Sequence, residues 1–251
     1  MLQMLELKTL SKHFGGVKAV DNLDLSIEKG SIFGVIGPNG SGKSTTINLI
    51  CGLMDKTTGG VFLDGEDITK HAPHQVVGAG IGRTFQNIRL FPGLTVWQNL
   101  WVAEKDGIGE QKTGFLKRWL SGQSGAREAI QNQLDFANLS DKRDILAGNL
   151  SFGEQRRLEL ARAMATTPKL LLLDEPAAGM NQAEIKQLEG RLRSLKDTGI
   201  TIMLVEHVME LVMGVTDRIA VLNFGQKIAE GTPTEIQNNQ AVQDAYLGKA
   251  D

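Results

Sequence analysis

Apolar and polar residues alternate in the first part of the chain. The alternation runs through residues 5–8 and again through residues 23–28. A period of two residues is typical of half-buried strands. Residues 4–36 are therefore predicted to be rich in β-strand, with residues 13–16 in a loop between two strands.

The second half of the chain combines buried apolar runs with helical periodicity. Residues 169–173 and 200–205 are nearly continuous apolar runs, as expected of buried parallel strands. The helical pattern between them consists of Ile185, Leu188, Leu192 and Leu195. Residues 219–222 and 227–229 predict a closing hairpin, and residues 233–251 predict a polar helical tail. Strands that alternate with helices in this way predict an α/β fold.

The segment that leads into the middle of the chain carries weaker patterns. Pro73 is expected to break the mixed segment of residues 68–80. Residues 81–85 predict a strand that ends at Gln86. Residues 87–96 are apolar but contain several breakers, which favours a surface loop with exposed apolar groups, a candidate partner site. A buried loop is the alternative interpretation of that segment.

The middle of the chain is predicted to be mainly helical. Residues 96–146 carry a helical pattern, except that residues 106–124 are rich in Gly, Lys and Ser and are expected to loop out. Ser151 is a predicted N-cap, and Glu154 three residues later would complete a capping box. A helix that continues to Met164 should follow.

Composition narrows the class of protein. The chain has 251 residues, which suits one large domain or a core domain with a subdomain. The net charge is −2 and no long basic run occurs, so composition gives no support for nucleic-acid binding. Cys51 is the only cysteine, which excludes an intramolecular disulfide.

Membrane insertion is not expected from the sequence. The first eight residues lack the charged-then-apolar pattern of a signal peptide. The longest apolar runs, such as residues 170–173, are too short to cross a bilayer. We therefore expect a soluble chain whose role at a membrane, if it has one, would come through a partner.

One short stretch carries the strongest chemical signal. It fits the phosphate-binding P-loop pattern and consists of Gly37, Pro38, Asn39, Gly40, Ser41, Gly42, Lys43, Ser44 and Thr45. The glycines let main-chain N–H groups approach phosphate oxygens, Lys43 adds a point charge, and the Ser44 hydroxyl can ligate Mg²⁺. A strand before it and a helix after it would place the phosphates on the helix N-terminus. The alternative is a glycine-rich turn without a ligand.

Polar residues at predicted strand ends extend this site. Asp174 would hold Mg²⁺ through water, and Glu175 could polarise an attacking water. An acidic pair after a strand often only caps the next helix, but after a P-loop, in a chain of alternating strands and helices, it strongly favours this interpretation. Gln86 could offer a carbonyl to Mg²⁺ and an amide to water, and His207 could donate to a γ-phosphate. Because parallel strands end at one rim of a sheet, these side chains are predicted to converge with Gly42. The remaining histidines, His13, His71 and His74, are interpreted as structural.

The order and spacing of these motifs resemble the nucleotide-binding subunit of an ATP-binding-cassette (ABC) transporter over nearly the whole chain. The resemblance rests on residues 37–45, Gln86, residues 150–155, residues 170–175 and His207. It implies an α/β P-loop NTPase fold: one ABC ATPase domain over residues 1–251, with a mixed sheet, an antiparallel β-subdomain and an α-helical subdomain at about residues 87–165.

The resemblance also implies roles and partners. Ser151 and Gly153 would bind the γ-phosphate of an ATP held by a second ATP-binding subunit, in a homodimer or heterodimer. Phe14 would stack on adenine, although the sequence pattern alone fits a core or hinge residue equally well. Gln86 would link the site to integral membrane permease subunits, and an external solute-binding protein would act indirectly. ATP and Mg²⁺ would be bound, with ADP as product.

Four runs narrow the resemblance to the ATP-binding subunit of branched-chain amino acid uptake systems: residues 83–96, 176–181, 212–218 and 245–248. The chain departs from the wider family at Phe152, Glu154 and Asn181, where Gly, Gln and Asp are usual. These departures concern the tuning of dimer closure and turnover.

The predicted function is ATP hydrolysis by Glu175, His207 and Gln86 that drives uptake through dimer closure, on the cytoplasmic face of the cell membrane. One alternative is a soluble ABC-type ATPase in DNA repair or translation, although such proteins usually carry a long coiled-coil insertion or two cassettes. Another is a nucleotide-binding scaffold without turnover, against which intact Lys43, Asp174, Glu175 and His207 argue.

Overall fold

The computed structural model describes residues 2–104 and 124–247. Contacts divide the chain into two compact units, which we call the first unit (residues 1–81 and 169–251) and the second unit (residues 82–168). The segment predicted to loop out, residues 106–124, lies almost wholly outside the described residues.

Strands and helices of the described residues are numbered in chain order. The strands are β1 (Gln3–Phe14), β2 (Val17–Glu28), β3 (Ile32–Ile36), β4 (Thr58–Leu63), β5 (Glu66–Asp67), β6 (Ile81–Arg83), β7 (Leu170–Asp174), β8 (Thr201–Val205), β9 (Arg218–Asn223) and β10 (Gln226–Gly231). The helices are α1 (Lys43–Ile50), α2 (Pro73–Ala79), α3 (Val96–Ala103), α4 (Ser124–Ala137), α5 (Phe152–Met164), α6 (Gln182–Asp197), α7 (Met209–Val215), α8 (Pro233–Gln237) and α9 (Gln240–Leu247). Short 3-10 turns occupy Ser140–Lys142 and Ala147–Asn149.

Two sheets build the first unit. Strands β10, β9, β3, β8 and β7 lie side by side in that order, parallel except for the antiparallel β9–β10 pair. The second sheet is antiparallel, in the order β2-β1-β4-β5. The predicted fold, an α/β protein with a mixed sheet and an antiparallel sheet, is confirmed.

Burial explains why these apolar runs form central strands. Every residue of β3, β7 and β8 is buried, as expected when both faces of a parallel sheet are covered. Strand β3 pairs in parallel with β8 and β9, and β7 pairs in parallel with β8. The carboxyl ends of these strands therefore lie at the same edge of the sheet. The loops that follow β3, β7 and β8 therefore leave from the same edge of the sheet.

The second unit has a helical core of its own. Helices α3, α4 and α5 pack around a buried apolar cluster whose members include Val96, Leu100, Ile130, Leu134 and Leu158. Trp97 and Trp101 stack on this cluster with ring centroids 6.0 Å apart. The apolar positions at helical spacing in the sequence face this core.

Three local predictions are wrong. Strand β1 continues to Phe14, which pairs with Val17, so His13 and Phe14 lie in the strand and only a two-residue glycine turn connects it to β2. Pro73 starts helix α2 instead of breaking the segment, since the first helical position needs no N–H donor. Strand β6 ends at Arg83, so Gln86 lies three residues beyond a strand end.

No helix among the described residues is both long enough and apolar enough to cross a membrane.

Candidate functional site

The phosphate loop between β3 and α1 depends on glycine at two positions. Gly37 has φ 151° and Gly42 has φ 103°, in the region that disfavours residues with a Cβ. A Cβ on Gly37 would lie 2.1 Å from the Leu222 carbonyl oxygen, and one on Gly42 would lie 2.3 Å from the Ala19 carbonyl oxygen. The loop can therefore curl only because these side chains are absent.

The same loop is braced by the turn between β9 and β10. The Gly225 N–H donates to the Ser41 carbonyl at 3.1 Å, and the Asp21 N–H donates to the Gly225 carbonyl at 2.9 Å. Gly225, at φ 80°, lies so close to β2 that a Cβ would meet the Lys18 carbonyl oxygen at 2.7 Å. Main-chain contacts from two distant strands thus fix the shape of the loop.

Lys43 lies at the start of α1 and is 7% exposed. Its ammonium donates to the Gly37 carbonyl at 2.7 Å and the Pro38 carbonyl at 2.9 Å. Burial lowers the pKa of Lys43, and the nearby charges of Glu175 and Asp174 oppose that shift. The ammonium and the two carboxylates therefore belong to one electrostatic site.

Next to Lys43, the predicted magnesium ligand Ser44 is exposed and Thr45 is half-buried. Thr46, by contrast, is buried and donates its hydroxyl to the Gly42 carbonyl at 2.9 Å, which leaves Ser44 as the accessible hydroxyl at the helix start.

Two consecutive acidic residues lie where β7 ends, as predicted. Asp174 is its last residue and is 2% exposed. Glu175 follows with φ 50°, an unusual value for a residue other than glycine, and its N–H donates to the Val205 carbonyl at 2.8 Å. The chain turns sharply here, so that successive carboxylates take different surroundings.

His207 follows the neighbouring strand β8 and lies beside Glu175. Its Nδ1 atom is 3.8 Å from Glu175 Oε2 and 3.6 Å from Glu206 Oε2. The imidazole side chain is 57% exposed, so it can reach a ligand. The structure thus brings together two of the three predicted catalytic side chains.

Glu206 also belongs to this site, although no sequence pattern assigned it a role. It is fully buried, with Oε1 accepting from the Ala177 N–H at 2.7 Å and Oε2 accepting from the N–H groups of His207 at 2.7 Å and Val208 at 3.0 Å. A carboxylate at the end of a buried strand was the available signal, as it was for Asp174.

Phe14 is 48% exposed at the end of β1, so its ring is not part of the core. The Lys12 ammonium lies 4.9 Å from the ring centroid. His13, predicted to be structural, has Nε2 3.5 Å from Asp21 Oδ1.

The second unit contains the other predicted site residues. Ser151 caps α5, accepting from the Glu154 N–H at 3.4 Å, while Glu154 Oε2 accepts from the Ser151 N–H at 2.9 Å. This confirms the predicted capping box. Ser151 is exposed and Gly153 is half-buried in the first turn of the helix.

Glu154 is also paired with cations. Its Oε1 atom accepts from the Lys142 ammonium and lies 3.8 Å from Arg157 Nη2. The Lys142 hydrogen bond, with help from Ser151, lowers the pKa of Glu154 to about 2. The extra negative charge noted in the sequence is thus matched by positive charge within the same unit.

Gln86 is exposed and its main chain is held by α5. Arg156 donates from Nη2 to the Gln86 carbonyl at 2.7 Å and from Nη1 to the Phe85 carbonyl at 3.1 Å. Glu159 Oε1 accepts from the Phe85 N–H at 3.4 Å and the Arg89 N–H at 3.3 Å. These side-chain bonds occupy main-chain groups that a longer β6 would have needed, which explains why the strand ends early.

Arg156 and Glu159 form a buried ion pair, 8% and 3% exposed, with Nη1 and Oε2 3.3 Å apart. Burial raises the pKa of Glu159, against the lowering effect of the Arg89 N–H and the Arg156 charge. Opposite charges three residues apart on the apolar face of a predicted helix could have indicated this pair.

The donors of the first unit fit Mg²⁺ bound together with a nucleotide. Ser44 offers an accessible hydroxyl and Asp174 a carboxylate, and Mg²⁺ in nucleotide sites takes one or two protein oxygens besides phosphates and water. Among the described residues, no group of three or more His, Cys, Asp or Glu side chains could hold a metal by itself.

A phosphate-binding loop follows the carboxyl end of strand β3, and an acidic pair follows β7, two places away in the same parallel sheet. This arrangement defines a P-loop nucleotide-binding protein. A sequence profile of the ABC transporter family matches residues 20–178. A second profile, described as branched-chain amino acid ATP-binding cassette transporter, matches residues 226–251. The chain belongs to the ABC transporter family and is its ATP-binding, ATP-hydrolysing cassette.

Relatives align over almost their full length. The high-affinity branched-chain amino acid transport ATP-binding protein BraF of Pseudomonas aeruginosa is 40% identical over 251 residues, 98% of this chain and 98% of that protein. LivG of Escherichia coli strain K12, which carries the same description, is 41% identical over 254 residues, again 98% of each chain. The resemblance that the sequence motifs predicted is confirmed.

Solved structures agree with this assignment. A nucleotide-free ATP-binding cassette from an ABC transporter superposes with TM-score 0.85 at 35% identity, covering 98% of this chain and all of that one. The ADP conformation of MJ1267, another ATP-binding cassette of an ABC transporter, gives TM-score 0.86 at 32% identity over 99% of this chain.

Proposed function

We propose that this cassette is the ATP-hydrolysing subunit of an importer for branched-chain amino acids. The observation that carries the proposal is the end-to-end similarity to BraF and LivG together with the separate match of residues 226–251. A soluble ATPase of DNA repair or translation gains no support from these relatives.

Within the first unit, the phosphate loop would bind the triphosphate. The main-chain N–H groups of residues 37–45 and the N-terminus of α1 offer donors and a positive dipole. Lys43 would exchange the carbonyls of Gly37 and Pro38 for phosphate oxygens. Phe14, with its ring exposed, would stack on adenine.

Glu175 and His207 would carry the hydrolytic step. Glu175 would accept a proton from the attacking water and hold it in line with the γ-phosphate. His207 would donate a hydrogen bond to the γ-phosphate oxygens, where negative charge must be stabilised. Their separation of 3.8 Å supports joint action on one phosphate.

Within the first unit, Ser44 and Asp174 would hold Mg²⁺. The ion would neutralise charge on the β- and γ-phosphates.

The second unit, which we propose as the helical subdomain, would act on another copy's nucleotide. Ser151 and Gly153 lie accessible at the start of α5, where helix N–H groups favour an anion. They would complete the ATP site of a second ATP-binding subunit, identical or homologous. Two such surfaces closing without ATP would leave buried donors unpaired, at ~1–3 kcal/mol each, so ATP would drive closure.

An exposed apolar surface in the second unit would contact the permease. Phe91 is 48% exposed, Leu146 43% and Ile145 39%, and a main-chain hydrogen bond joins residues 94 and 147 beside them. Phe91 lies five residues after Gln86 in the sequence, so a permease contact here could reach Gln86. The subunit would thus lie on the cytoplasmic face of the cell membrane.

The test has two arms. Glu175→Gln in the purified chain should bind ATP, hydrolyse it at least about 100-fold more slowly and accumulate as a dimer in size-exclusion chromatography. In proteoliposomes with its permease subunits and solute-binding protein, the wild-type chain should drive leucine uptake. A variant that stays monomeric with ATP and Mg²⁺ would contradict the shared site, whereas ATPase activity without leucine uptake would contradict only the solute.

A further inference from the structure

Glu206 connects two functional loops of the first unit. One carboxylate oxygen binds the N–H of Ala177, two residues after Glu175, and the other binds the N–H groups of His207 and Val208. The side chain is fully buried, so solvent does not compete for these bonds. A single carboxylate thus spans the turn after β7 and the turn after β8.

The turn that Glu206 holds carries an unfavourable backbone conformation. Glu175 has φ 50°, a left-handed conformation that is unfavourable for a residue with a Cβ. Such a conformation persists only when neighbouring contacts impose it. The Val205 carbonyl fixes the Glu175 N–H on one side, and Glu206 fixes the Ala177 N–H on the other.

We infer that Glu206 is a positioning residue for ATP hydrolysis, which sets the placement of His207 relative to Glu175. The inference rests on the catalytic roles proposed above for those two side chains. Without the carboxylate, His207 would lose the main-chain bond that orients it, and its imidazole would move relative to Glu175. Because hydrolysis requires both groups on one phosphate, a small displacement should slow the chemical step more than it weakens nucleotide binding.

The test is a double-mutant cycle between Glu206→Gln and His207→Ala, with kcat and KM for ATP measured on the full chain. Glutamine keeps the shape of the side chain but turns one acceptor into a donor that faces an N–H group. We expect Glu206→Gln to lower kcat about tenfold while KM changes less than about twofold. In the His207→Ala background, adding Glu206→Gln should lower kcat by less than about a further twofold.

Three outcomes separate the possibilities. If the two effects on kcat multiply, Glu206 does not act through His207 and the inference is wrong, although the proposed function stands. If His207→Ala itself leaves kcat unchanged, the catalytic role proposed for His207 is wrong, and the inference with it. If Glu206→Gln lowers kcat and nucleotide affinity by the same factor, Glu206 has a purely structural role and the inference is wrong.

Controls guard against a folding defect. Glu210→Gln removes an exposed carboxylate on the neighbouring helix α7 and should leave both constants unchanged. If Glu206→Gln does not fold, Glu206→Asp, which keeps the charge on a shorter side chain, enters the same cycle with the same expected non-additivity.

Discussion

The two units hold their functional loops by different means. In the first unit, main-chain groups fix the phosphate loop, and the buried carboxylate of Glu206 is satisfied by main-chain N–H groups. In the second unit, charged side chains hold the loops in place. Arg156 and Glu159 bind the main chain around Gln86, and Lys142 pairs with Glu154 of the capping box.

This difference affects how easily each site can be recognised in the sequence and how strongly each depends on pH and salt. Main-chain geometry with positive φ and no room for a Cβ restricts a position to glycine, so such a site leaves a readable motif. Ion pairs leave no comparable motif, and their strength depends on pH and salt. Substitution of glycine should therefore be the change that most disturbs the loops of the first unit, and loss of a charged side chain the change that most disturbs those of the second.

The largest expected effect follows from Gly42→Ala. The new Cβ would lie 2.3 Å from the Ala19 carbonyl oxygen, so the loop must shift and ATP affinity should fall at least about 100-fold, as measured by a nucleotide titration. Gly65→Ala is the matched control, because Gly65 has φ 82° and open space around its Cα. It should cost on the order of 1 kcal/mol of stability and leave ATP affinity unchanged. Equal losses of affinity in both variants would contradict the close-approach argument.

The next largest effect is expected for the buried ion pair. Arg156→Met leaves the Glu159 charge without its cation, which should lower the free energy of unfolding by about 3 kcal/mol in urea. Replacing both residues, with Arg156→Met and Glu159→Leu, should recover most of that loss. ATPase activity of the double variant should nevertheless stay low, because the Gln86 segment has lost its anchors. A double variant no more stable than the single one would show that the charges do not compensate each other.

A smaller effect concerns pH. The pKa of Glu154 is about 2 in the folded chain against 4.5 for a free side chain, so its contribution to stability is complete above pH 4.5 and is lost as pH falls towards 2. Glu154→Gln should therefore be less stable than wild type by about 1 kcal/mol at pH 6, with the gap closing below pH 4.5. Urea unfolding at several pH values measures this gap. A gap that does not vary with pH would exclude the Lys142 pair as its cause.

The smallest expected effect belongs to Phe14. Phe14→Ala should weaken ATP binding about threefold, since the phosphates are held by main-chain groups and stacking on one accessible ring adds about 1 kcal/mol at most. Val77→Ala is a useful control, because that side chain is 44% exposed on α2 and this helix contributes no residue to the nucleotide site. An unchanged affinity of the Phe14 variant would remove the adenine-stacking role.

The features that could be predicted from the sequence are those set by local backbone geometry. Gly37 and Gly42, the strand that ends at Asp174 and the capping box of Ser151 and Glu154 all depend on local rules of backbone and spacing. They could be predicted because each rule needs only neighbours in sequence.

The missed features depend on partners that are distant in sequence. Strand β6 ends early because Arg156 and Glu159, some seventy positions later, take up main-chain groups of residues 85 and 86. The positioning role inferred for Glu206 requires its bond to Ala177, 29 residues earlier in the chain. Local periodicity carries no information about such pairings.

The contacts of Gly37 and Gly42 also bear on how this loop could be transferred to other proteins. Its two critical glycines are specified by the carbonyl oxygens of Leu222 and Ala19, which come from opposite ends of the chain. A nine-residue graft of the motif into another strand-to-helix junction would carry the glycines without the surfaces that require them. An engineered nucleotide binder based on this cassette would have to import three strands, and a circular permutant would have to keep β2, β3 and β9 together.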